Sequence, residues 1–211
     1  DNVKACVREL QKSGVAFTAG SAGVGKTYSM RNVIEEVFPR RNIIGTAPTW
    51  AACRRASKLT GINFISNHSL LYAAAHEDSK GRLRFGSPST SNIPRGSLVL
   101  ADEASMLGSK VGGDLEAMCA KAGAKLWAWG DLFQLGPVND EQYFSNVRVT
   151  FELTEVHRQN PGPLLSMLTA MRRRKCEGYQ DIKKYAEGKE VIAAGSSRPA
   201  YIKRFVEAYM N

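Results

Sequence analysis

The run Gly20-Ser21-Ala22-Gly23-Val24-Gly25-Lys26-Thr27 fits the pattern G-x-x-x-x-G-K-[ST] at every fixed position. Glycines in such a run let consecutive backbone N–H groups wrap a phosphate without a Cβ in the way. A helix starting at its end turns the positive end of its dipole toward the same anion. Lys26 is suited to neutralise β- and γ-phosphates, and the Thr27 hydroxyl to bind Mg2+. The chemistry is that of nucleoside triphosphate binding, with ATP and Mg2+ as the expected cofactors. A chance Gly-rich turn is the competing reading, and it does not account for an apolar run before the loop and helical spacing after it.

Two acids, Asp102 and Glu103, close the apolar run Leu98-Val99-Leu100-Ala101. A carboxylate at a strand's carboxyl end lies beside the phosphate loop in open α/β sheets. Asp102 is suited to hold Mg2+ through its water shell, and Glu103 to polarise the attacking water. Without the phosphate loop the pair would read as an acidic turn.

Three further segments carry weaker signals. Gln134 stands just past the run Lys125–Trp129 and Gly130-Asp131; it either senses a γ-phosphate or sits in a surface turn. Arg158 follows a short apolar segment ending near Leu153. An arginine on the γ-phosphate stabilises transition-state charge; a surface arginine is the alternative. Pro48, Thr49 and Trp50 offer a single nucleic-acid strand backbone and hydroxyl donors and an indole for stacking. A strand-to-helix turn with a packed tryptophan fits them equally well.

The elements that must position these groups alternate between two periods. Val15–Ala19, Asn42–Ala47, Leu98–Ala101, Lys125–Trp129 and Val149–Leu153 read as short strands. Tyr28–Phe38, Trp50–Leu59, Ser69–Ala75, Asp114–Ala122 and Leu164–Met171 read as helices, the last running into Arg172-Arg173-Arg174-Lys175. Such alternation implies an α/β fold with a mostly parallel sheet and helices on both faces. Between Glu77 and Gly96, glycines and prolines surround Arg82–Phe85, the mark of a small hairpin or loop insertion. The expected organisation is one domain over 1–76 and 97–211, with 77–96 inserted.

Composition narrows the partners. Lys plus Arg number 29 against 20 Asp plus Glu, a formal net charge of +9, which favours a polyanion. No apolar run approaches the ~20 residues of a membrane span, and the first ten residues carry no signal-peptide pattern. A cytoplasmic protein without a membrane partner is expected. The four cysteines are scattered without a C-x-x-C pair, and the three histidines, His68, His76 and His157, lack metal spacing. The thiols are expected to be reduced and packed.

As an ordered set, GSAGVGKT, TAPTWAA, DEASM, GDLFQLGPV and LTEVHRQ resemble the motif series of superfamily 1 DNA helicases. The similarity is greatest to the RecD-like branch, which includes phage Dda-type helicases and the helicase parts of conjugative relaxases. It extends from about Val15 to Lys175. The resemblance implies a RecA-like P-loop NTPase domain, the first motor domain of a 5′-to-3′ helicase on single-stranded DNA. It implies that Lys26 and Thr27 serve motif I, Asp102 and Glu103 motif II, Gln134 motif III and Arg158 motif IV. Pro48 and Thr49 match the strand-contacting segment, and Asn67-His68-Ser69-Leu70 resembles a second one, with His68 facing the strand. The insertion falls where the family carries its strand-separating pin, with Phe85 at the expected tip.

The expected function is therefore ATP hydrolysis coupled to single-stranded DNA binding. The family's second RecA-like domain is expected outside this chain, so the chain by itself should turn over poorly. The alternatives are an RNA-virus superfamily 1 helicase domain, or a vestigial domain that binds single-stranded DNA without turnover; the intact Lys26, Thr27, Asp102 and Glu103 weigh against the latter.

Overall fold

The computed structural model describes residues 2–21, 24–27, 30, 31, 34, 42–72, 76, 77, 79, 81, 83–134, 136–147, 149–153, 166, 169 and 170. The chain divides into two compact units, Asp1–Val156 and His157–Asn211. In the second, Ser166, Thr169 and Ala170 are helical.

The first unit is built on six parallel strands in the order β3-β2-β6-β7-β1-β8. They are β1 (Val15–Gly20), β2 (Ile43–Ala47), β3 (Phe64–Ser66), β6 (Leu98–Ala101), β7 (Lys125–Gly130) and β8 (Phe151–Leu153). The helices are α1 (Asn2–Lys12), α2 (Trp50–Thr60), α3 (Asn67–Leu71) and α4 (Ser109–Lys121). Lys26, Thr27, Met30, Arg31 and Ile34 are helical as well.

The central strands are mostly apolar because both their faces are covered, and the buried hydroxyls of Thr18 and Thr46 are hydrogen-bonded. Successive side chains alternate between the faces. On one face Val99, Ala101, Leu126, Ala128 and Phe17 meet Leu115 and Cys119 of α4 and Leu70 of α3. On the other, Leu98, Leu100, Trp127 and Trp129 meet Cys6 and Leu10 of α1, Met30 and Ile34, and Cys53 and Ala56 of α2. Trp127 lies in this core with its indole N–H donating to the Thr18 hydroxyl at 2.9 Å. Cys6, Cys53 and Cys119 are free, buried thiols, and burial pushes all three above their ordinary value.

The parallel sheet and two-sided helices agree with the expected class. Three local differences have physical causes. First, β3 is only three residues long, so its identity comes from pairing with β2, Gly45 opposite Phe64, rather than from any run of its own. Second, the expected helix Ser69–Ala75 is broken early, and residues 73–75 lie outside the described residues. Helix α3 ends at Leu71, where Tyr72 turns extended and bridges Pro88. Third, the insertion is a hairpin of β4 (His76–Glu77) and β5 (Leu83–Arg84), antiparallel with His76 opposite Arg84. Its turn lies between Glu77 and Leu83, so Phe85 follows the second arm and is not the tip.

Among the described residues no helix is long and apolar enough to cross a membrane.

Candidate nucleotide site and its nucleic-acid flank

Strands β1, β6 and β7 are neighbours and parallel, so their carboxyl ends open on one edge of the sheet. That edge receives Gly20 and the phosphate loop from β1, Asp102 and Glu103 from β6, and Asp131 from β7. Sheets of this type bind ligands at such an edge.

Within the loop, Gly25 takes a φ of +73°, a left-handed backbone that residues with a Cβ resist. Ala22 and Gly23 lie outside the described residues. Val24 is buried and anchors the loop to the core. The Lys26 ammonium donates to the carbonyls of Gly20 at 2.9 Å and Ser21 at 3.0 Å. A cation is thereby held against the start of the loop. The Thr27 hydroxyl donates to Asp102 Oδ2 at 3.3 Å. These two oxygens come from motifs 75 residues apart, and a hard divalent cation favours such donors.

Asp102 is only 2% exposed. Burial pushes its carboxyl above the ordinary range, opposed by the hydrogen bond from the Glu103 backbone N–H to Oδ1 at 2.9 Å. A carboxylate this buried is costly unless a cation meets it. Its surroundings therefore fit Mg2+ carried in with nucleotide phosphates. Among the described residues no group of three His, Cys, Asp or Glu gathers into a metal cage. A Thr, one carboxylate and substrate phosphates are the usual protein contribution for Mg2+.

Glu103 sits in a left-handed conformation, φ 51° and ψ 40°, and starts the 3-10 turn Ala104–Met106. Its carboxylate pairs with the guanidinium of Arg55 on α2. Behind it, the turn packs tightly against β7: a Cβ on Gly130 would stand 2.9 Å from the Ser105 backbone N. Only glycine lets β7 end this close to the turn that carries the acids.

Asp131 is buried, and its carboxylate accepts from the Phe133 N–H at 3.1 Å. Its carbonyl accepts from the Gln134 N–H at 2.9 Å. This turn presents Gln134 as an exposed residue beyond β7. Arg158 lies outside the described residues.

Beside the edge, Thr49 caps α2, its hydroxyl accepting from Ala52 N–H at 3.1 Å. Pro48 is half-buried. Trp50 is 57% exposed, which removes the reading of a packed tryptophan. His68 on α3 contacts Tyr72 and Phe85, with ring centroids 5.5 and 4.6 Å away. Burial, with help from Lys110, holds the His68 ring below its ordinary pKa. Phe85 is 46% exposed and His68 half-buried, and both rest on the buried Tyr72 ring, so the three rings form one aromatic cluster with Phe85 in water. Thr46 donates to the buried Asn67 at 2.7 Å, tying β2 to α3 beneath it.

Arg55 and Asp131 were not singled out from the sequence. Asp131 was visible as a polar residue closing an apolar strand, the same signal that marks Asp102. Arg55 gave no local signal, since its partner lies 48 residues away.

Residues 3–196 match the model of a family described as an AAA domain. A curated relative, the ATP-dependent DNA helicase PIF7 of Trypanosoma brucei brucei (strain 927/4 GUTat10.1), is 28% identical over 69% of this chain and 15% of its own length. Among solved structures, Bacteroides Pif1 bound to ssDNA matches with a TM-score of 0.60 at 20% identity, over 100% of this chain and 56% of that one. Pif1 helicase from Bacteroides in complex with ADP-AlF3 and ssDNA matches with a TM-score of 0.60 at 21% identity, over 98% and 56%. The chain thus spans a small part of the curated relative and about half of these structures. The likeness establishes the fold, a RecA-like P-loop NTPase with an all-parallel sheet.

Proposed function

The chain belongs to the AAA domain family, and from that premise we propose that it is an ATP-hydrolysing motor domain of a superfamily 1 DNA helicase. The observation that carries the reading is the meeting of Thr27 and Asp102 beside the Lys26 cradle at the carboxyl edge of β1 and β6. The curated relative is described as an ATP-dependent DNA helicase, and one structural match, a Pif1 helicase, was solved in complex with ADP-AlF3 and ssDNA. The motif order from Gly20 to Arg158 supports the RecD-like branch and 5′-to-3′ movement.

In this reading the loop N–H groups and Lys26 bind and orient the β- and γ-phosphates of ATP. Thr27 and Asp102 would hold a magnesium ion, which would supply screening of the phosphate charge. Glu103 orients the attacking water and draws off its proton. Gln134 and Arg158 complete the γ-phosphate side. Trp50, Thr49, Pro48 and His68 take the strand, with bases stacking on exposed rings. Phe85 supports that surface from the base of the pin at 77–96, inserted in a domain over 1–76 and 97–211. Directed movement requires two such domains closing on each other, so a second RecA-like domain is the implied partner.

ATP hydrolysis by the full-length protein, with and without single-stranded DNA, tests this. DNA should raise the rate, and Lys26→Ala should lower it by about 100- to 1000-fold, the range for losing one preorganised charge stabiliser. Equal rates with and without the Lys26 side chain would overturn the reading.

A further inference from the structure

The ion pair between Arg55 and Glu103 links two regions that the proposed function uses separately. Glu103 is the group assigned to the attacking water. Arg55 belongs to α2, whose first residue is the exposed Trp50 and whose cap is Thr49. While the pair holds, the carboxylate is turned toward α2 and its charge is shared with a guanidinium. A carboxylate so engaged is aimed at a guanidinium rather than at a water beside the γ-phosphate. Arg55 also lies close enough to Asp102 to favour that group's ionised form.

Accessibility decides which member of the pair yields. The Arg55 side chain is 58% exposed and that of Glu103 28%. A polyanion arriving on α2 therefore meets the arginine first. Arg54 and Lys58 are exposed on the same helix, and Arg55 stands about 7.5 Å along the axis from Trp50, given the helical rise. A strand stacked on Trp50 brings phosphates within reach of this basic surface, and a phosphate competes well with a carboxylate for a guanidinium fork.

We propose that Arg55 is a positioning residue that restrains Glu103 in the strand-free protein, and that the phosphates of a bound single strand take over its guanidinium and free Glu103. The inference rests on the ATPase reading above and adds the link by which strand binding switches hydrolysis on. Glu103 then needs no large rearrangement, because its backbone is already fixed by the turn at Ala104–Met106 and by its N–H bond to Asp102.

The test is steady-state hydrolysis at saturating Mg2+ and ATP by the full-length protein, with and without saturating single-stranded oligonucleotide, for wild type, Arg55→Ala and Arg55→Lys. Arg55→Ala should raise the strand-free rate roughly two- to fivefold, the range a partly exposed ion pair supports. Stimulation by the strand should shrink by a similar factor. Arg55→Lys, which keeps a cation opposite Glu103, should return the strand-free rate toward wild type; a purely structural role would not discriminate by charge. Circular dichroism should show unchanged folding, since the side chain is mostly in water. An active wild type whose strand-free rate is unchanged or lowered in Arg55→Ala overturns this inference alone. Hydrolysis absent from every form, with or without strand, overturns the ATPase reading and this inference with it.

Discussion

At the carboxyl edge of the sheet the carboxylates of Asp102 and Asp131 are buried and hydrogen-bonded, whereas on the flank formed by α2, α3 and the hairpin Trp50 and Phe85 stand half in water. Asp102 is 2% exposed and Trp50 57%. The edge depends on backbone fit: the Gly25 conformation, the Gly130 approach and the left-handed Glu103 all have to coincide. The flank depends on surface chemistry, rings and cations within reach of a long ligand. One region needs sub-ångström placement of a few atoms around a small anion. The other tolerates variation because stacking on a ring is insensitive to sequence and register.

Gly130→Ala should separate the two regions most strongly. Its Cβ would meet the Ser105 backbone N at 2.9 Å, and backbone cannot give way as a side chain can. A loss of about 1–3 kcal/mol is expected, read from the denaturant midpoint. Trp50→Ala, on the exposed flank, should leave that midpoint within about 0.5 kcal/mol. A Gly130→Ala variant as stable as wild type would break the contrast.

The flank should respond in affinity instead. Trp50→Ala should weaken single-stranded DNA binding by about 1–3 kcal/mol, or roughly 5- to 150-fold in Kd. At saturating DNA the hydrolysis rate should change little. Fluorescence anisotropy of a labelled oligonucleotide checks the first part. A matched fall in affinity and maximal rate would mean that Trp50 acts through the edge.

These regions also differed in how far the sequence revealed them. The phosphate loop is a contiguous signal, and its glycines, lysine and threonine declare their backbone and charge requirements locally. Strands β6 and β7 were equally legible, being apolar runs closed by Asp102 and Asp131. Strand β3 was not, because three residues acquire strand character only from pairing with Gly45–Ala47. Helix α1 passed unnoticed because it touches the core mainly through Cys6 and Leu10. The hairpin was visible as a cluster of turn formers, but its register was not, so Phe85 was placed at the tip rather than at the base. The pairing of Arg55 with Glu103 is tertiary and had no local trace.

A smaller effect sharpens the edge side of the comparison. Burial raises the Asp102 carboxyl above its unfolded value of 3.8. The folded state therefore holds that proton more tightly than the unfolded state. The protein free of nucleotide and metal should lose stability as pH rises from that value through the folded one. Asp102→Asn should abolish this contribution and raise Tm at neutral pH, while removing hydrolysis. Thermal melts at acidic and neutral pH read the difference, and an unchanged or lowered Tm at neutral pH would argue that the carboxylate is well compensated without a metal.

The most direct measurement of the central claim is a comparison of ATP binding and ATP hydrolysis in Glu103→Gln. An amide keeps the size of the side chain but cannot take a proton from water. If the carboxyl edge is an ATP-hydrolysing site with Glu103 on the attacking water, the variant binds ATP with Mg2+ at least as well as wild type and hydrolyses it about 100- to 10000-fold more slowly. Hydrolysis at the wild-type rate with intact binding would contradict the account.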